Sequence, residues 1–98
     1  MREVYQIFLD SRVGLLTGAL QLEHDGVQGT GEIELYGHPL PLSDVRVEGN
    51  KRSFQGVLRL AEEEVSFRAE GELEDEVLDV MIRTARDQML VTGFLQTE

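Results

Sequence analysis

The sequence predicts an all-β protein: a single small antiparallel up-and-down β-barrel of about eight short strands. Three observations carry this expectation. Apolar and polar residues alternate with period two along almost all of the 98-residue chain, the spacing of strands buried on one face. The segments between alternating runs are too short for crossover helices, so successive strands must pair as hairpins. Finally, Gly18, Gly31, Gly56, Gly71 and Gly93 each open a run whose apolar residues recur at every second position, in phase with the inward face. A glycine there leaves a gap in the side-chain layer and lets a sheet coil tightly.

The first strand covers about residues 3–10, with Tyr5, Ile7 and Leu9 on one face and Val4 and Phe8 on the other. The second carries Leu16, Gly18, Leu20 and Leu22 inward and ends at Asp25-Gly26, residue types that tolerate the positive φ of a reversal. The third directs Val27, Gly29, Gly31, Ile33 and Leu35 inward. Gly37-His38-Pro39 then interrupts the ladder, because proline offers no donor.

Leu40 and Leu42, followed by Val45 and Val47, make a fourth strand whose phase changes near Ser43, the signature of a bulge. Gly49-Asn50 turns the chain into a fifth strand with Phe54, Gly56, Leu58 and Leu60 inward. After a hairpin over 61–64, the sixth strand alternates Val65, Phe67, Ala69, Gly71 and Leu73 with Ser66, Arg68, Glu70 and Glu72. The acidic stretch Glu74 to Glu76 leads to a seventh strand through Leu78, Val80 and Ile82. Residues 74–83 also hold good helix formers, so a short helix is the alternative there. A turn near Ala85 to Asp87 precedes the eighth strand, with Met89, Val91, Gly93 and Leu95 inward.

Closure into a barrel removes both exposed edges, and neither the first nor the last strand is guarded by several charges or a proline. A two-sheet β-sandwich is the alternative arrangement. The expected barrel resembles lipocalin and streptavidin architecture in topology alone, and no family motif covers any part of the chain. One domain, residues 1–98, accounts for the length.

Nineteen acidic residues against nine basic ones give a formal net charge of −10. Such a surface repels phosphate backbones and anionic lipid headgroups, which argues against nucleic-acid and membrane partners. With no cysteine, thiolate chemistry and disulfides are excluded. Residues 1–10 lack the pattern of a signal peptide, and no run approaches the roughly 18 apolar residues of a membrane-spanning helix. A cytoplasmic location is the expectation.

Candidate chemistry is sparse. His24 and His38 both fall at turns, where exposure is expected, and neither has a ligand at metal-binding spacing. The clusters Glu62-Glu63-Glu64 and Glu70 to Glu76 lack the alternation of a calcium loop and read as solvated hairpin tips. No cofactor, metal or catalytic site is expected; His38 with Asp44 would be the acid–base set of an enzyme reading.

The inward positions are almost wholly apolar, which favours a packed lumen. The glycines could instead leave room for a small apolar ligand, giving a carrier as the alternative function. Above this background stand Val4, Phe8, Met81, Leu90 and Phe94, outward-facing on the first, seventh and eighth strands, which a closed barrel makes neighbours. A contiguous apolar patch of this kind marks an interface. The expected function is a non-catalytic interaction or structural module that self-associates, most simply as a twofold homodimer, with a different protein as the other possible partner.

Overall fold

The computed structural model describes residues 1–11, 14–35, 37–60 and 62–96. The expected inward direction of Leu60 and the first residue of the 61–64 hairpin lie outside the described part. Eight strands follow in chain order: β1 (Arg2–Ser11), β2 (Gly14–His24), β3 (Gln28–Leu35), β4 (His38–Glu48), β5 (Lys51–Leu60), β6 (Glu63–Glu74), β7 (Val77–Arg83) and β8 (Gln88–Leu95). Each pairs antiparallel with the next. β8 then pairs with β1 from Tyr5↔Leu95 to Leu9↔Val91, closing an up-and-down barrel.

That last ladder overturns the sandwich alternative, since it consumes both edges of the sheet. The helix considered over 74–83 is also overturned. Asp75 and Glu76 take φ of 50° and 66° and form a two-residue reversal between Glu74 and Val77. Leu78, Val80 and Ile82 are thereby buried opposite Leu73, Gly71 and Ala69. Burial of every second side chain outweighs the local helix preference of the intervening residues.

Val27, expected inward on the third strand, instead lies in the turn before β3 and is 68 % exposed. The expected break at Gly37-His38-Pro39 is shorter than the sequence suggests. His38 and Pro39 already belong to β4, opposite Leu35 and Glu34, and Pro41 lies opposite Glu32. Both prolines precede the start of the β4·β5 register at Ser43↔Gln55, so on that side of β4 the missing donors cost no ladder bond. The expected bulge near Ser43 is present: Asp44 has φ of 51°, and two exposed residues separate buried Leu42 from buried Val45.

Side chains from all eight strands meet in the lumen, among them Ile7, Leu20, Ile33, Leu42, Phe54, Phe67, Val80 and Val91. Phe54 and Phe67 pack edge to face there with ring centroids 6.2 Å apart. The in-phase glycines admit close approach between strands. A Cβ at Gly18 would fall on the carbonyl oxygen of Glu34, and one at Gly71 on that of Asp79.

Candidate functional site

At the barrel end that carries the β2–β3, β4–β5 and β6–β7 turns, the lumen is closed by polar side chains. Glu3, His24 and Arg52 are each 6 % exposed, and Tyr5 beneath them is fully buried. Their placement follows from strand phase. Glu3 is two residues before Tyr5, His24 two after Leu22, and Arg52 two before Phe54, so each extends an inward row by one step.

β1 and β5 stand four strands apart in either direction around the barrel. The Glu3–Arg52 pair therefore spans the mouth. Arg52 donates from Nε to Glu3 Oε1 at 3.0 Å and from Nη2 to Oε2 at 2.8 Å, a bidentate geometry. Its Nη1 donates to the carbonyls of Gly49 at 2.6 Å and Lys51 at 3.1 Å, tying down the β4–β5 turn. Tyr5 donates its hydroxyl to Glu3 Oε1 at 2.5 Å. The Gly26 amide donates to His24 Nδ1 at 3.0 Å, which puts the ring proton on Nε2, 2.9 Å from Glu3 Oε2.

Four donors thus converge on one carboxylate and use all its lone-pair directions. Burial pushes the Glu3 carboxyl up, but the hydrogen bonds from Arg52, Tyr5 and His24, with the Arg52 charge, outweigh it and hold the pKa down at about 2. Burial, then the bond to Glu3, pushes the Tyr5 hydroxyl upward. The Glu3 bond likewise raises Arg52. No buried side-chain nitrogen or oxygen among the described residues lacks a partner. A carboxylate so saturated has no free lone pair for a proton in transit or a metal ion. Its chemistry is that of a latch holding β1, β2 and β5 together.

This cluster corrects two expectations. His24 is buried rather than exposed, because the β2 alternation continues through it to the mouth. The lumen is not wholly apolar either, since Glu3, His24 and Arg52 face inward. The signal available in the sequence was phase: each polar residue sits in register with an apolar row, at the strand end where the row meets the turn.

The other candidates stay apart. His38 opens β4, exposed, while Asp44 lies six residues on, about 20 Å along an extended strand. Asp44 is engaged with Arg46 Nε at 3.1 Å and with Gln55 Nε2 at 3.3 Å. No group of three or more potential metal ligands occurs among the described residues.

The outer wall holds the second feature. Val4, Phe8, Met81, Leu90 and Phe94 lie on one face spanning β7, β8 and β1. Leu90 is 50 % and Phe94 43 % exposed, and the other three are half-buried. Met81 is directly opposite Leu90, Val77 opposite Phe94, and the rings of Phe8 and Phe94 meet edge to face at 5.8 Å. Exposed Leu15 on β2, opposite Asp10, continues the patch. Leu15 and Val77 were missed because neither strand end marks its outward face by strict alternation. Comparison of the chain with protein-family models, curated proteins and solved structures gave no match.

Proposed function

We propose that this barrel is a non-catalytic module that self-associates through the outer face of β7, β8, β1 and β2. The observation that carries the reading is the contiguity of Met81, Leu90, Phe8, Phe94, Val77 and Leu15 on one side of a closed sheet. A closed barrel has no free strand edge, so association must use side-chain faces. Between copies that each carry a charge of −10, approach is least opposed where carboxylates are sparsest. Within this face those are Asp10, Asp79 and, at the end of β2, Glu23.

Four strands at about 4.8 Å spacing and four outward rows cover on the order of 400 Å² of the curved wall. That is the size of the largest functional patches on monomers and about half of one side of a standard interface. The association is accordingly weak and concentration-dependent. Filling of the lumen by side chains supports placing the function outside, and the cysteine-free composition suits a cytoplasmic setting.

The absence of native cysteine offers a direct test. Leu90→Cys should be cross-linked into dimers by a short bis-maleimide, whereas Val57→Cys, exposed on the far strand β5, should remain monomeric. Equal cross-linking of the two, or none with Leu90→Cys, contradicts the proposal.

A further inference from the structure

We infer that the outer wall across β5, β6 and β7 holds a binding site for a phosphate monoester, built on Arg68 and Arg83. These two arginines are direct cross-strand partners, in a row that runs Gln55, Arg68, Arg83, Gln88 over four strands. Directly opposed like charges destabilise a sheet. Yet neither guanidinium has a hydrogen bond or ion pair among the described residues, although the chain has twice as many acidic as basic side chains. Arg46, by contrast, is paired with Asp44.

The two side chains line a depression of about 680 Å³ together with Ser66, Gln55, Met81 and Ala85. Ser66 adds a hydroxyl donor one row from the arginine pair, and Ala85 gives an apolar shoulder on the side away from the self-association face. Cβ atoms of directly opposed strand residues are about 5 Å apart, so two guanidinium groups can converge on one tetrahedral anion. Glu70 also lines the depression, and the net negative charge repels anions at long range. A single carboxylate gains too little against that field. A dianion that engages both guanidinium groups at contact distance gains twice, and its ester group can rest on Ala85.

The test is a titration of the intact protein with phenyl phosphate, inorganic phosphate and acetate, followed by amide NMR. Saturable shifts centred on residues 66–69 and 82–85 are expected with phenyl phosphate, weaker ones with inorganic phosphate, and none with acetate. Arg68→Gln and Arg83→Gln should each weaken binding roughly tenfold or more, while Arg46→Gln leaves it unchanged. Both variants should fold at least as stably as the parent without ligand, because repulsion is relieved. Absence of saturable shifts, shifts spread over unrelated arginines, or binding that survives both substitutions would overturn the assignment.

Discussion

Replacing Arg52 by methionine tests whether the mouth of the barrel is held by charge. Methionine keeps most of the apolar stem but leaves the Glu3 carboxylate buried without its bidentate partner. In the native state that carboxyl titrates at about 2, against 4.5 for an ordinary glutamate. At about 1.4 kcal/mol per unit the difference corresponds to about 3 kcal/mol. A depressed acid pKa contributes stability that is complete above pH 4.5 and is lost as pH falls toward 2. Removing one partner of a buried pair costs about 3–5 kcal/mol, so the two routes agree in size.

Against a total of about 5–15 kcal/mol for a domain of this length, Arg52→Met should be severely destabilised at pH 7. It should be less so, relative to the parent, near pH 3. There the parent is losing its pairing energy, and the variant's carboxyl, unpaired, protonates and no longer buries a charge. Urea unfolding followed by far-UV circular dichroism at both pH values measures this. A loss below about 1 kcal/mol at pH 7, or a gap that does not narrow at pH 3, would refute the latch.

Two further substitutions probe the strand geometry by the same unfolding measurement. Gly71→Ala drives a Cβ into the Asp79 carbonyl and should cost about 1–3 kcal/mol. Gly93→Ala meets only the side chains of Ile7 and Tyr5 at 3.3 Å and should cost less; equal effects would mean that strand approach is not what the glycines serve. Glu76→Gly, at a φ of 66°, should raise stability by about 0.5–1 kcal/mol by removing a strained left-handed side chain, and a loss would contradict the turn geometry.

The barrel was legible because strand period, short connections and in-phase glycines all point to it, and because each is a local property. The bulge at Asp44 was readable as a change of phase between Leu42 and Val45. The reversal at Asp75-Glu76 was located by its charge, but its left-handed backbone was not legible, since neither residue is glycine. The polar plug went unseen for a different reason. Glu3 and Arg52 are 49 positions apart, and only closure brings β1 and β5 to face each other across the lumen. Each alone, at a strand end beside a turn, looks like a solvated charge. The outer patch was visible in part, because pairing of β8 with β1 could be inferred once closure was assumed; Leu15 joined it only through the β1·β2 register.

Sedimentation equilibrium over a concentration series is the most direct measurement of self-association through the β8–β1 face. The wild-type chain should follow a monomer–dimer equilibrium with a Kd in the micromolar to millimolar range, strengthened by added salt because screening reduces repulsion between acidic copies. The Leu90→Glu/Phe94→Glu variant should remain monomeric throughout. A wild-type chain that stays monomeric to roughly millimolar concentration, or a double variant that dimerises as well as the parent, would contradict the account.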